Sequence, residues 1–212
     1  MKITKFVHSC VLIEDDGKTV LFDPGIFSWN SGFVDINKLP LLNTIVVTHK
    51  HADHFGEPFV RALIAKFPGA NWLVPTDLIE ELRSFGASSV SDKSSEYIDI
   101  TVGEHAHVVP FGVQVQNLFV NWNNKVTNPG DSHEASGTKD LLLLPVQAPW
   151  GTTVRAVELA LELKPRYVLP IHDWMWNEQW RQVCYDRFDT IFSEAGIKLL
   201  RPVDGVSLEI EI

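Results

Sequence analysis

The chain has 212 residues, is 45% hydrophobic and carries a formal net charge of −9. It is long enough to bury a sizeable core, and we expect one domain over residues 1–212. The acidic balance argues against binding a phosphate backbone, which needs clustered Lys and Arg, so no nucleic-acid partner is expected. No run approaches the roughly 18 apolar residues of a membrane helix, and residues 1–5 are not an apolar signal segment. We therefore expect a cytoplasmic protein without a membrane partner.

The N-terminal part of the chain is predicted to begin with a meander of three strands. Short apolar runs separated by turn residues are typical of such strands, and residues 15–17 have the composition of a tight turn. A buried strand is predicted at 43–47. A helix is predicted at 57–67, where apolar residues recur with the spacing of one helix face, and a second at 77–85. The predicted meander strands cover residues 2–6, 10–13 and 19–22.

The remainder of the chain is predicted to alternate between strands and helices. Residues 84–95 are polar enough to form a mobile loop, and extended segments follow at about 97–120. Strands backed by helices favour two packed sheets with helices on their outer faces. The other predicted elements are strands at 140–144, 167–171, 198–200 and 206–210, and helices at 152–163 and 177–195.

Four side chains able to bind a metal fall within six residues, directly after the apolar strand at 43–47. Neutral imidazoles suit zinc, iron or manganese, and a carboxylate among them adds charge that can hold a second cation. The alternative is a polar loop with chance histidines, but the whole chain has only eight. The pattern therefore predicts a metal-dependent hydrolase. The four residues are His49, His51, Asp53 and His54.

This motif, with others in the expected order, resembles the metallo-β-lactamase fold superfamily. His-x-His-x-Asp-His after an apolar strand and a Thr resembles its signature. Residues 6–13 and 20–25 resemble the opening of the branch that includes the ascorbate-6-phosphate lactonase. Three further segments match later in the chain, at residues 128–132, 140–145 and 167–173. The resemblance implies an α/β fold, a four-layer αββα sandwich.

The resemblance also implies a dinuclear metal site. By it, His49 and His51 bind a first metal, Asp131 bridges both, and a second metal takes the ligands Asp53, His54 and His172. We expect two divalent ions, with zinc favoured over manganese or iron. Read without the resemblance, Asp131 is an ordinary turn residue and His172 is equally well a core histidine.

The third histidine of the first metal is expected in the segment 103–107, where the family supplies it. We choose His105 over His107, although both would share one face of an extended segment. The segment 117–127 lacks the Gly-Tyr pair expected from the resemblance, so the sequence departs from the family pattern here.

Several other residues are expected to support the site rather than bind metal. His8 and Asp23 are interpreted as partners that orient the ligands. For His8, a purely structural role is an almost equally favoured interpretation. The chain has seven tryptophans. We hypothesise that Trp150 and Trp174 line a partly apolar substrate pocket, with peripheral core packing as the equal alternative. Asp173 either orients a neighbour or begins a helix.

Two bound metals imply a hydrolytic mechanism. They lower the pKa of a bridging water towards 7 and polarise a carbonyl or phosphoryl oxygen of the substrate. Asp53 could pass a proton to the leaving group, and Asp131 holds the two metals together. The expected substrate is a small-molecule ester, lactone, amide or phosphodiester, and an anionic one is acceptable.

Two alternatives come from other classes. A regulatory or metal-binding protein that has lost catalysis is the stronger one, because of the irregular third-ligand segment. A di-iron oxidoreductase is the weaker one, because 212 residues leave no room for a flavin domain. Oligomeric state is not determined by the sequence.

Overall fold

The computed structural model describes residues 1–108 and 114–212. The chain forms two compact units, one of Met1–Lys93 with Pro202–Ile212 and the other of Ser94–Arg201. A single domain over residues 1–212 stays a prediction. Residues 109–113 of the predicted extended segment lie outside the described residues.

The first unit contains a seven-stranded mixed sheet with the order β13-β1-β2-β3-β4-β5-β6. The strands β1, β2 and β3 form the predicted antiparallel meander, and β4, β5 and β6 continue the sheet from β3 in parallel. The turn between β2 and β3 uses left-handed backbone at Asp16 and Gly17, with φ of 48° and 72°. The strands are β1 (Lys2–Lys5), β2 (Val11–Asp15), β3 (Lys18–Phe22), β4 (Thr44–Val46), β5 (Asn71–Leu73), β6 (Ser89–Ser91) and β13 (Ser207–Glu209).

Three helices belong to this unit: α1 (Ile26–Ser31), α2 (Glu57–Lys66) and α3 (Ile79–Ser84). The apolar face predicted for α2 is buried, and it joins one hydrophobic cluster with strand residues such as Ile45 and Trp72. Burying aliphatic and aromatic side chains stabilises this packing by roughly 1.5–3 kcal/mol for each large residue. The strand β4 lies between β3 and β5 in the unit's sheet, and the histidine run follows its carboxyl end.

The second unit contains a six-stranded sheet with the order β12-β11-β10-β9-β8-β7. Its core cluster joins β10 residues such as Leu142 to Phe188 and Phe192 of α5. Thr152 caps the N-terminus of α4 and Asn177 caps that of α5, each through a side-chain hydrogen bond. Thr and Asn are both favoured at this position. The elements are β7 (Ile98–Glu104), β8 (Gln116–Trp122), β9 (Val126–Asn128), β10 (Leu141–Pro145), α4 (Thr153–Leu163), β11 (Tyr167–Ile171), α5 (Glu178–Glu194) and β12 (Lys198–Leu199).

The predicted mixed α/β class, with two sheets and helices, is confirmed. The helix predicted at 77–85 is present as α3, and a 3-10 turn at Thr76–Leu78 precedes it. The segment 84–95, predicted to be a loop, contains β6, whose backbone pairs with β5. Strand pairing therefore orders a polar stretch that has no hydrophobic period of its own.

In the described part of the chain, no helix has both the length and the apolar character needed to cross a bilayer.

Candidate metal centre

The histidine run forms a tight loop directly after β4. The strand ends at Val46, and the backbone N–H groups of His54 and Phe55 both donate to the carbonyl oxygen of His51. The predicted turn at Asp53 and His54 is therefore present. It allows adjacent residues to direct their side chains into the same region, which an extended strand would not permit.

Gly25 allows a second loop to pack closely against this turn. A Cβ atom at Gly25 would lie 1.7 Å from the carbonyl oxygen of Asp53. The N–H of Ile26 donates to the carbonyl of Ala52, and the N–H of Gly56 donates to that of Pro24. The absence of a side chain at this position therefore allows the backbone contact that supports the histidine loop.

Three imidazole rings cluster in the first unit. The ring centroids of His49 and His54 are 4.0 Å apart, and those of His49 and His51 are 4.8 Å apart. His49 and His54 are fully buried, whereas His51 is half-buried. A buried group of basic rings is costly unless an anion or a metal balances it, so the arrangement favours metal binding.

Asp23 and Thr48 determine which nitrogen of His54 and His49 is available. The carboxylate of Asp23 accepts hydrogen bonds from the backbone N–H and hydroxyl of Thr48, and its Oδ2 lies 3.0 Å from Nδ1 of His54. The Thr48 hydroxyl gives its single proton to Asp23, so it accepts from Nδ1 of His49, 3.1 Å away. In both rings, Nε2 then carries the lone pair that a metal requires.

His8 lies beside Asp53. Its Nε2 is 3.2 Å from Oδ2 of Asp53, and its ring meets the ring of His54 edge-on at 5.8 Å. His8 is buried, whereas the side chain of Asp53 is 26% exposed. A carboxylate that is both accessible and hydrogen-bonded to an imidazole is suited to exchanging a proton with a substrate.

Asp131 is the centre of a second cluster, in the second unit. Its Oδ2 lies 3.2 Å from Nε2 of His105 and 3.1 Å from Nε2 of His172, and all three side chains are buried. His107, the alternative third ligand, is exposed. Of the two histidines that the sequence could not separate, His105 is therefore the one beside Asp131.

The hydrogen bonds of His105 and His172 determine what can lie between the rings and the carboxylate. Nδ1 of His105 contacts the carbonyl oxygen of Ala106, and Nδ1 of His172 contacts that of Gln147. A carbonyl oxygen only accepts, so each Nδ1 carries a proton, and Nε2 of a neutral ring is an acceptor facing a carboxylate oxygen. Two acceptors at this distance need a cation or a shared proton between them. The donor set therefore fits a divalent metal ion.

Asn117 of β8 holds the Asp131 loop, a role that the sequence analysis missed. Its Oδ1 accepts from the backbone N–H of Asp131, and its Nδ2 donates to the carbonyl of Pro129. Gly130 has φ of 61°, and a Cβ there would lie 2.0 Å from Oδ1 of Asn117. The only signal in the sequence is an amide residue next to the apolar run Leu118–Val120.

Left-handed backbone recurs among the predicted site residues. His8, Asp23 and His172 have φ of 59°, 47° and 61°. Such conformations cost roughly 1–3 kcal/mol each outside glycine, and they persist where the surroundings require them. Next to His172, the buried carboxylate of Asp173 accepts a hydrogen bond from the hydroxyl of Tyr185. Asp173 therefore anchors the end of β11 and does not begin a helix, since α5 starts at Glu178.

The two tryptophans predicted to line a pocket have different surroundings. Trp174 is 38% exposed, directly after the buried His172 and Asp173. The indole N–H of Trp150 donates to Oδ2 of Asp131 at 2.9 Å. The neighbouring His133 donates from Nε2 to the carbonyl of Pro145, and burial is the main cause that lowers its pKa. His133 therefore has a structural hydrogen bond, in agreement with its omission from the predicted ligands.

The seven predicted ligands divide between the two units, and each set has the chemistry of a metal site. The first unit holds four of them and the second holds three. Assignment of particular ligands to particular metals stays a prediction.

Comparisons with known proteins identify the family. The model of the Beta-lactamase superfamily domain matches residues 2–172, and the chain belongs to this family. Protein Rv0786c of Mycobacterium tuberculosis is 30% identical over 198 residues, which cover 88% of this chain and 91% of the relative. A UPF0173 metal-dependent hydrolase of Geobacillus thermodenitrificans is 27% identical over 194 residues, covering 81% of this chain and 85% of that protein.

A solved structure shows the same fold. The metallo-β-lactamase fold protein YhfI from Bacillus subtilis matches with a TM-score of 0.69 at 18% identity, covering 98% of this chain and 99% of that one. The fold class and the family resemblance predicted from the sequence are therefore confirmed. A likeness at this identity concerns the fold, and chemistry has to be argued from the site.

Proposed function

We propose that this metal-dependent hydrolase of the metallo-β-lactamase fold binds two divalent ions through the seven predicted ligands. Zinc is favoured over manganese and iron. One observation carries the proposal. Asp131 presents a single carboxylate oxygen to Nε2 of both His105 and His172, while backbone carbonyls hold the opposite nitrogen of each ring. Metal-binding histidines characteristically donate their other N–H in this way, which orients the ring and raises its basicity.

The division of the ligands between two ions follows the family resemblance. His49, His51 and His105 would hold the first ion, and Asp53, His54 and His172 the second. Asp131 would bridge both. The hydrogen bonds of Asp23 and Thr48 in the first unit support this proposal, because they occupy Nδ1 of His54 and His49 and so place the lone pair of each ring on Nε2.

Bound ions of this kind supply Lewis-acid polarisation of a substrate oxygen and lower the pKa of water. The protein's own residues supply orientation and proton transfer. His8 holds the carboxylate of Asp53 at 3.2 Å, and the 26% exposure of that side chain lets it reach a leaving group. We assign to Asp53 the delivery of a proton to the departing atom.

The proposed substrate is a small molecule with an ester, lactone, amide or phosphodiester bond. The net charge of −9 disfavours a polyanion, but two divalent ions add about four positive charges locally, so a single anionic group is acceptable. The exposed Trp174, one residue beyond Asp173, provides an apolar surface for the rest of such a substrate.

The test combines elemental analysis with a substrate panel. Protein purified without added metal is analysed for zinc, manganese and iron, then assayed against lactones, phosphodiesters, thioesters and amides. His49→Ala and Asp131→Ala should each lose metal and turnover together. Asp186→Asn is the matched control, since this exposed carboxylate on α5 pairs with Arg201 and is not among the predicted ligands. Full metal content and full activity in either alanine variant would reject the proposal, as would a metal-loaded protein inactive on the whole panel.

A further inference from the structure

Trp150 is held in a defined position by the turn that precedes α4. The backbone N–H and C=O groups of Ala148 and Gly151 are mutually hydrogen-bonded, each at 3.3 Å, so the two residues between them are constrained. Thr152 then caps α4 through its side chain. Gly151 packs against His133, and a Cβ there would lie 2.8 Å from the imidazole ring. The turn therefore leaves little freedom for the indole.

The indole N–H of Trp150 donates to the same carboxylate oxygen that both histidines face. Nε1 of Trp150 lies 2.9 Å from Oδ2 of Asp131. Oδ2 is also the atom 3.2 Å from His105 and 3.1 Å from His172. A donor on a charged acceptor makes one of the stronger hydrogen bonds in proteins.

The ring of Trp150 also contacts these histidines. Its centroid lies 6.1 Å from that of His105 and 5.9 Å from that of His172, in edge-on arrangements. It contacts His133 in the same way at 4.9 Å. One half-buried side chain therefore touches all three members of the Asp131 cluster and donates a hydrogen bond to its carboxylate.

We propose that Trp150 is a positioning residue for Asp131. Its N–H selects the carboxylate rotamer in which Oδ2 faces both Nε2 atoms. The proposal rests on the proposed metal-binding role of Asp131. It differs from the pocket hypothesis, in which Trp150 would contact substrate, because it assigns the indole to the protein's own carboxylate.

The proposal predicts a spectroscopic signature that does not depend on activity. In a spectrum of protein with ¹⁵N-labelled tryptophan, the Trp150 indole signal should lie downfield, as expected for a charge-assisted bond. Trp150→Phe assigns the signal by deleting it. Asp131→Ala should move it upfield, and zinc added to the metal-free protein should shift it. The signal of Trp180, an exposed residue on α5, should not respond.

Zinc affinity provides the second measurement. Trp150→Phe keeps an aromatic ring but removes the donor, and we expect its zinc dissociation constant to rise roughly 10- to 100-fold in a chelator competition. Trp180→Phe is the matched control and should bind zinc like the wild type. If Trp150→Phe does not fold, the proposal is tested by Asp131→Ala, in which one indole signal should move upfield.

The outcomes separate the two proposals. Wild-type zinc binding by Asp131→Ala would overturn the metal-binding role of Asp131, and with it both proposals. The positioning role of Trp150 alone would be overturned if Asp131→Ala lost zinc and Trp150→Phe bound zinc with wild-type affinity. It would also be overturned if Asp131→Ala lost zinc and no indole signal responded to that substitution.

Discussion

Nδ1 of His54 lies 3.0 Å from Oδ2 of Asp23, and both side chains are completely buried. The carboxylate accepts two further hydrogen bonds from Thr48, so it is oriented before any metal binds. It requires His54 to carry its proton on Nδ1, which leaves the lone pair of the ring on Nε2. That Asp23 orients a metal ligand stays a prediction.

Replacing Asp23 by asparagine should reverse this preference. The Nδ2 group of Asn would present a donor where His54 now has its own N–H donor, and the ring would have to move its proton to Nε2, where it blocks a metal. We expect Asp23→Asn to raise the zinc dissociation constant roughly 10- to 100-fold. Asp35→Asn is the control, since that carboxylate is exposed and its partners are the surface residue Lys38 and the backbone N–H of Asn37. Equal zinc affinity in both variants would contradict the assignment.

The two histidines near β7 should respond differently to replacement. His105 is buried beside Asp131, whereas His107 is exposed. His105→Ala should therefore lose zinc and turnover, and His107→Ala should retain both. Elemental analysis after dialysis, with an activity assay on the same samples, makes the comparison. Metal loss only in His107→Ala would assign the third ligand to the other histidine.

Gly25 should not tolerate even a methyl group. A Cβ would lie 1.7 Å from the carbonyl oxygen of Asp53, and backbone atoms cannot move aside as a flexible side chain can. We expect Gly25→Ala to lower the free energy of unfolding by about 1–3 kcal/mol or more, with metal content falling as the loop shifts. Urea denaturation measures the first effect. Gly69→Ala, where nothing lies within 4 Å of a Cβ, should change neither quantity strongly.

The hydroxyl of Tyr185 should stabilise the end of β11. It donates to the buried Asp173, next to the left-handed backbone of His172. Tyr185→Phe keeps the ring but leaves a buried carboxylate with one donor fewer, which costs about 1–3 kcal/mol. Urea denaturation of Tyr185→Phe is compared with that of Tyr97→Phe, whose ring is exposed. Similar stability for the two variants would show that the Asp173 contact contributes little.

The thiol of Cys10 should make stability fall at high pH. Burial is the main cause that raises the pKa of Cys10, and the hydrogen bond from Ser28 opposes it. The folded protein therefore keeps this proton above about pH 8.5, where an unfolded thiol loses it. The stabilising contribution is complete below about pH 8.5 and declines as the pH rises, by about 1.4 kcal/mol per unit.

Urea denaturation between pH 7.5 and 10 measures this effect. The difference in unfolding free energy between the wild type and Cys10→Ala should shrink over that range. The corresponding difference for Val11→Ala, a buried neighbour without a titratable group, should stay constant. A constant difference for Cys10→Ala as well would show that the thiol has no raised pKa.

Elements with a strong local pattern were predicted well. The helix α2 shows its apolar face in the spacing of Phe59, Val60, Leu63 and Ile64, and β11 was predicted with its observed bounds. By contrast, β5, β6 and β9 have three residues each. Three residues show barely one alternation of a strand, so backbone pairing with neighbouring strands defines these elements rather than their own residues.

The candidate site shows the same division. The run from His49 to His54 was identifiable because all its donors lie within six residues after one apolar strand. Asp131 and His172 were found only through the ordered set of family motifs, since each has an ordinary local interpretation. Asn117 escaped notice because its partners are 12 and 14 residues away, across the pairing of β8 and β9.

The sequence by itself determined the family, the residue types that can bind metal and the order of the main elements, because these depend on local spacing and composition. Only the tertiary structure decided that His105 rather than His107 lies beside Asp131, and that the N–H of Trp150 donates to that carboxylate. The physical reason is that hydrogen bonds act over about 3 Å. Which side chains come that close depends on how distant strands and turns pack, and no local pattern in the chain encodes this.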